Sequence, residues 1–519
     1  MSENQHTLNP VRRRRRRLTD DGEDRLSSLP DAILTEILSC LPINSAATTS
    51  VLSRRWRHLW TGVTRFEIYN IKSRYPPDFL SIVSNILMHL TSPKIDVFKI
   101  QVRSIITLVI ELDELESFFH EICRRNVQQL ICNGEEYCDK YFPVPTCLLS
   151  CQSLVTLELF GSLEYDWEKN KNRDVQLKLP NLKKLTFCYL RQVPPWLDSL
   201  SESSPLLEEL TLMFALFGYR QLPNTMPLLN LSFPNLKSLN LMVEACYEEP
   251  GVDVISIDAP KLTHLQINHI FGYHLGPLPY KFCHNPTALV KACINFYYRD
   301  KDEVEDENED EVEDEDEDEE IHWFFEFFRG MSSIYNLELK LQQYCNVFTD
   351  LSVNVNLLMF SNLVHLTTTL DRVDLNGCKD LLVSLQCFPN LKHLHVKLEE
   401  MDYGSKMKHR NWHAPDIVPS CLMSKLKTID IKGLQLSGSI GGLKLLGYIL
   451  GNAKVLEKLY LEDVWFHERT KQETLWTECE FCRSLYKLPR SSSTCEVVFS
   501  GRFITSSSNT FKNGRLTFQ

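Results

Sequence analysis

Apolar residues recur along this chain in the order leucine-x-x-leucine-x-leucine. Three copies sit inside nearly identical heptads: LPNLKKL at 179–185, FPNLKSL at 233–239 and FPNLKHL at 388–394. Looser copies start at Leu154, Leu207, Leu262, Ile334, Leu363, Leu426 and Leu456, with degenerate ones at Val127 and Leu289. Successive starts from 127 to 262 lie 25 to 29 residues apart. A constant period of this length predicts a stacked solenoid. Within each copy the last two apolar positions alternate with polar ones, the period of a half-buried strand. One such strand cannot bury its apolar face alone, whereas parallel neighbours bury it jointly. The Pro-Asn before the first leucine suits a turn into the strand.

The interval between Leu289 and Ile334 is 45 residues and contains the run DEVEDENEDEVEDEDEDEE at 302–320. Without those nineteen residues, 26 remain, one ordinary repeat. The run therefore reads as an insertion (300–320) in one repeat's loop. So dense a charge block cannot collapse and is expected to be disordered. It also dominates the charge: removing its sixteen acids from a net charge of −12 leaves the rest of the chain at +4. An opposite run, Arg12 to Arg17, lies in a basic arm at 1–22 that is expected to be disordered. It reads equally as a nuclear-import or nucleic-acid patch and as a solubilising arm.

A different period appears at 24–60. Ile33, Leu34, Ile37, Leu38 and Leu41 make one stripe of an amphipathic helix. Pro30 suits its first turn and Pro42 ends it. A second helical stretch is expected to carry Ala46, Ala47, Val51, Leu52, Trp56, Leu59 and Trp60. About forty residues are too few for a self-sufficient core, so some of this apolar surface needs a cover from the solenoid or from another protein.

These stretches resemble known families. The repeats are similar to leucine-rich repeats of the irregular kind. The N-terminal segment resembles an F-box: Leu29-Pro30, ILTEILSCLP at 33–42 and SVLSRRWRHLW at 50–60 stand where plant F-box proteins have them. The tail, LKLLGYILGNAKVLEKLYL at 443–461 with LYKLPRSSSTCEVVF at 485–499, is similar to the FBD region that ends many plant F-box/leucine-rich-repeat proteins. Physically it predicts an amphipathic helix (Leu445, Leu446, Ile449, Leu450), the strand Leu459–Leu461 and a closing strand Cys495–Phe499, together a cap for the open end of the solenoid. The expected fold is therefore α/β: an all-α F-box hairpin (23–68), an irregular leucine-rich-repeat solenoid of parallel strands with helices and loops (95–442), an FBD-like capping region (443–500) and a tail (501–519).

The resemblance implies docking to the Skp adaptor of a Skp–cullin–F-box ubiquitin ligase. Leu29, Pro30, Ile33, Ile37, Leu38, Leu41, Pro42, Val51, Leu52, Trp56 and Trp60 are the adaptor-contact or F-box-core candidates, with Trp56 the expected anchor because hot spots favour tryptophan. Residues between the leucines point away from the core. Among them Lys184, Glu209, Asn240, His264, Tyr335, His365, His393, His395 and Tyr460 are candidates for a target-binding face. Their mixed signs argue against nucleic acid. The chain is thus expected to be a substrate receptor; a rival reading makes it a binding module for basic, histone-like proteins through the acidic loop.

Other chemistry is sparse. His365 and His393 would lie about 5 Å apart on paired strands, but no thiolate or carboxylate stands at matching positions, and Cys479-Glu-Phe-Cys482 has no second pair, so no metal and no cofactor are expected. No Gly-rich phosphate loop, GxSxG or HExxH occurs, which leaves an enzyme the least favoured class. The start is polar and then basic, without a signal-peptide pattern, and the apolar runs, such as IITLVIEL at 105–112, are short. The seventeen scattered cysteines read as intracellular thiols, which fits the nucleus or the cytoplasm. By the same argument Asn230-Leu231-Ser232 is a chance sequon.

Overall fold

Fifteen strands, from Arg65–Tyr69 to Glu496–Gly501, pair in parallel with the next in chain order to make one ladder. The computed structural model describes residues 26, 28–69, 78–101, 112–133, 142–160, 163–164, 177–190, 194, 196–216, 229–245, 255–271, 280–298, 326–341, 358–371, 375–399, 414–436, 439–466, 470–508 and 517–518. The Arg12–Arg17 run, the acidic run and most of the IITLVIEL stretch lie outside them.

Register explains the repeat. Leu185, Leu210, Leu239, Leu265, Ala292, Leu337, Leu366 and Leu394 stand side by side on successive rungs, and all are buried. Two residues on, Phe187, Leu212, Leu241, Ile267, Ile294 and Leu339 form a second buried column. The first leucine of each copy, such as Leu236 or Leu391, is buried beneath the turn that leads into the strand. At that turn two successive N–H groups donate to one carbonyl of the preceding rung: Glu208 and Glu209 to the Lys183 oxygen at 2.8 and 2.9 Å, Lys392 and His393 to the Val364 oxygen at 2.9 and 3.0 Å.

The heptad asparagines have a specific task. Asn181, Asn235 and Asn390 donate from Nδ2 to the carbonyls of Gln152, Pro205 and Ser361 at 2.9, 2.8 and 2.8 Å. Each ties its own turn to the turn one rung earlier and satisfies a carbonyl that the strand ladder does not reach. Phe233 and Phe388, which open two of the heptads, and Phe360, at the same place in the copy at Leu363, are buried under these turns, with Phe360 and Phe388 5.5 Å apart.

The acidic run interrupts the sequence but not the sheet. Lys291–Tyr298 pairs directly with Asn336–Leu341, Lys291 opposite Asn336. The sheet also begins earlier than the expected start at residue 95. Val63-x-x-Phe66-x-Ile68 and Ile95-x-x-Phe98-x-Ile100 are copies of the pattern written without leucine, and they form the rungs Arg65–Tyr69 and Val97–Gln101. A smaller parallel sheet, Leu229–Ser232, Ile255–Asp258 and Tyr280–Phe282, accompanies the middle rungs.

The C-terminal end is closed by more than the expected helix and strands. Ser439–Asn452 buries Leu445, Leu446, Ile449 and Leu450. A further helix, Lys471–Lys487, starts from a capping box in which Thr470 Oγ1 accepts from the Glu473 N–H while the Glu473 carboxylate accepts from the Thr470 N–H. The ladder then reverses: Ile504–Ser507 pairs antiparallel with Glu496–Gly501, and Thr517–Phe518 adds to it. The turn between them rests on Glu478, a fully buried carboxylate that accepts from the N–H groups of Arg502, Phe503 and Ile504 at 2.8, 3.1 and 3.0 Å. Burial outweighs those three donors and lifts its pKa above the ordinary carboxylate value.

Candidate adaptor-docking and target-binding surfaces

The N-terminal unit begins with helix α1, Asp31–Ser39, whose N-cap is Pro30. The five apolar residues of its expected stripe do not share one fate. Leu34 and Leu38 are buried, with Ser39 beside them, while Ile33, Ile37 and Leu41 face outward at 47, 40 and 37% exposure. Helix α2, Ile43–Thr48, is short and buries Ile43 and Ala46. The expected second helix stops there. A 3-10 turn at Thr49–Val51, a turn through 53–58 and another 3-10 turn at Leu59–Gly62 replace its second half. This break throws Val51 and Leu52 into solvent at 85 and 64% exposure. Arg55 holds the segment back against α1 through a 2.6 Å ion pair to Asp31 and a hydrogen bond to the Leu29 carbonyl.

Trp56 is not an exposed anchor. It is 6% exposed and packs in the core with Leu34, Leu38, Ile43, Ala46, Leu59 and Val63. An indole is the largest body available to close so small a core. Trp60, half-buried, stacks on His89 with centroids 6.5 Å apart. Leu29 and Pro42 are half-buried and Pro30 is exposed. The same core runs without a break into Phe66, Ile68 and Phe98 of the first rungs, and the Thr91 N–H bonds the Thr61 carbonyl at 2.7 Å. The solenoid thus covers one side of the unit, and the outward apolar set Ile33, Ile37, Leu41, Val51 and Leu52 remains uncovered.

The second surface is the outward side of the ladder. Lys184, Glu209, Ser238, His264, Lys291, Asn336, His365, His393 and Thr428 stand in one column. Asn240, His395 and Tyr460 stand in the column two residues on. Tyr335 lies one residue before the first column, on the rim where the turns lead into the strands.

Much of the charge on this face is used internally. Lys184 pairs with Glu158 at 2.8 Å and reaches Glu209 at 3.7 Å, and its hydrogen bond to Glu158 raises its pKa. His395 meets Asp430 at 2.9 Å, and Lys458 lies over the Tyr460 ring at 5.7 Å.

His365 and His393 stack face to face at 4.4 Å, and the Tyr335 ring adjoins His365 at 5.6 Å, tilted by 51°. Stacked imidazoles turn their faces, not their nitrogen lone pairs, towards each other, and His393 Nδ1 lies 2.8 Å from Thr428 Oγ1. Burial and then nearby charge, including Lys392, push both histidine pKa values down. No group of three metal-ligating side chains occurs among the described residues. Cys479 and Cys482 lie on the helix Lys471–Lys487, both raised in pKa by burial.

Comparisons with known proteins fall on the same segments. The F-box domain model matches residues 26–67, a model of leucine-rich repeats described for the FBD-associated F-box protein At5g56370 matches 115–278, and the FBD model matches 414–461. A putative FBD-associated F-box protein of Arabidopsis thaliana, At5g22720, is 26% identical over 92% of this chain and 95% of its own length. A second, At5g53635, is 27% identical over 91% of this chain and 100% of its own. The F-box/FBD/LRR-repeat protein At1g78750 from the same plant is 27% identical over 92% and 96%. F-boxes as a class bind Skp-type adaptors, and no helix among the described residues is long and apolar enough to cross a membrane. The chain thus carries an F-box, leucine-rich repeats and an FBD region in that order, and over nine-tenths of its length it is similar to Arabidopsis F-box proteins of the same composition.

Proposed function

We propose that the chain is the substrate-recognition subunit of a Skp–cullin–F-box ubiquitin ligase. The carrying observation is the split of the N-terminal apolar residues. Leu34, Leu38, Trp56 and Leu59 close a core that is continuous with the sheet, while Ile33, Ile37, Leu41, Val51 and Leu52 stand outside it. An apolar patch of this kind on a folded unit is a protein-binding surface. The chain then needs no catalytic group of its own. It holds a target on the repeat face, and ubiquitin transfer by the other subunits gains from the proximity.

The test is assembly of the full chain with a plant Skp-type adaptor and a cullin, followed by size-exclusion chromatography and light scattering. A stoichiometric complex is expected. A folded chain that stays alone at micromolar concentration would defeat the ligase reading. It would move attention to the rival, a non-ligase binder of basic proteins through 302–320, whose mark is histone binding lost on deletion of that run and steeply weakened by salt.

A further inference from the structure

The rim of the ladder carries a groove that the adaptor reading leaves unused. It has a volume of about 540 Å³ and crosses successive turns, lined by Val290, Tyr335, Val364, Lys392 and Lys425 among others. One end is apolar: Val290 and Tyr335 are each 47% exposed. At the other end are Lys392 and Lys425. Neither has a carboxylate at ion-pair distance among the described residues, whereas the neighbouring Lys427 is held by Glu457 at 2.8 Å. The floor is fixed by Asn362 and Asn390, whose amides bond the carbonyls of Ser333 and Ser361 at 3.4 and 2.8 Å.

The backbone N–H groups along this rim are spent on the ladder itself: Tyr335, Val364 and Lys392 each donate to the preceding turn at 2.9–3.0 Å. A ligand here cannot add as another strand and is recognised through side chains alone. Val290 and Lys392 are three rungs apart, about 14 Å at the usual strand spacing, and an extended peptide covers that in about four residues.

We propose that this groove receives an extended segment of the target protein in which an apolar side chain is followed, about four residues on, by one or more carboxylates. The apolar side chain lies against Val290 and Tyr335, and the carboxylates meet Lys392 and Lys425. The proposal takes its meaning from the receptor reading, but its chemistry is separable from it: charge complementarity at two lysines with no carboxylate partner among the described residues and an apolar end of matching spacing.

The experiment uses the full chain bound to a Skp-type adaptor, or the free chain if no complex forms. The probe is a fluorescein-labelled glycine/serine peptide with one leucine and, four residues on, two glutamates, followed by fluorescence anisotropy. Both the wild type and the variant lacking 302–320 are measured, because that run's sixteen acids are competitors of the same sign. Saturable binding is expected, weakened by about tenfold or more in Lys392→Glu/Lys425→Glu and in Val290→Ser. A peptide with lysines in place of the glutamates should not bind. Equal binding of the two peptides, no effect of the double charge reversal, or no binding by either form of the chain would each overturn the proposal. Adaptor binding, measured alongside, reports separately: its loss would strike the receptor reading and leave the groove result standing.

Discussion

A double substitution at Val51 and Leu52 and a single one at nearby Trp56 should act in opposite ways. Val51, Leu52, Ile33, Ile37 and Leu41 are 85, 64, 47, 40 and 37% exposed, together the surface of a little under three whole side chains. Covering one such side chain is worth about 1.5–3 kcal/mol, so the patch offers roughly 4–8 kcal/mol towards adaptor binding before the cost of association. Val51 and Leu52 contribute about half. Val51→Asp/Leu52→Asp should therefore weaken adaptor binding by at least about 2–4 kcal/mol, roughly thirty-fold to a thousand-fold in Kd. Unfolding should be almost unaffected, because solvent-exposed substitutions typically change stability by under about 0.5 kcal/mol. Trp56→Ala empties a core position instead and should cost about 3–5 kcal/mol of folding stability. Any loss of binding it causes should track the loss of folded F-box. The assay pairs isothermal titration of each variant against the adaptor with thermal and urea unfolding of the same samples. If the double variant binds like the wild type, or if Trp56→Ala loses binding while its unfolding curve stays put, the division of this unit into core and docking face is wrong.

Three further outcomes follow from other sites. Glu478→Ala would leave the N–H groups of Arg502, Phe503 and Ile504 without their acceptor; with the Ile504 N–H buried and the other two partly so, a loss of about 1–3 kcal/mol is expected, seen in urea unfolding and as faster hydrogen exchange in 496–507. His269 is fully buried beside the Tyr280 hydroxyl at 2.9 Å, and burial holds its pKa near about 3 against an ordinary 6.5. Its neutral form is the folded one, so its contribution is complete above pH 6.5 and is lost as pH falls towards 3. At pH 5 the loss is about 2 kcal/mol, and His269→Phe should flatten urea-unfolding stability between pH 7 and 5 relative to the wild type. Gly433 has φ +82°, and an added Cβ would stand 2.3 Å from the Leu398 carbonyl oxygen; Gly433→Ala should lower stability by more than about 1 kcal/mol in the same unfolding assay.

The ladder was legible because a stacked array needs the same residue at the same place on every rung. Where leucine fills the place, as in the heptads at 179, 233 and 388, the copies announce themselves. Phe66 and Ile68, or Phe98 and Ile100, satisfy the same packing without leucine, and a pattern searched by leucine passes over them. The F-box stripe failed for a different reason. Ile33 and Leu34, or Ile37 and Leu38, are adjacent and equally apolar, so the helix has two apolar sides. Periodicity says that both must be covered; it does not say which covering is internal. Trp56 stood in the sequence as an adaptor-contact or core candidate, and it fills the core, since the size that makes tryptophan a good anchor also makes it the best filler of a small core. The rim groove has no signature at all in the sequence. Val290 and Tyr335 are 45 residues apart and become neighbours only because the chain between Tyr298 and Asn336 returns to the next rung.

That return has a mechanical consequence. The F-box core is continuous with the first rung, and the buried columns continue from rung to rung as far as the C-terminal cap. Docking face and target face therefore belong to one packed body and are not separated by a free linker. Nine strand-to-strand steps of the ladder separate Arg65–Tyr69 from Asn336–Leu341, about 43 Å along the sheet at the usual strand spacing. On the proposed reading, a target held at the rim groove would thus sit at a fixed distance from the adaptor. A fixed distance matters because transfer to a lysine requires the acceptor to dwell near the donor, and a stiff spacer raises that dwell over what a flexible one of equal length provides. The acidic run leaves the strands without breaking their pairing, so its length can change without changing this spacing, whereas removing one whole repeat would shift the groove by about 5 Å and rotate it relative to the adaptor.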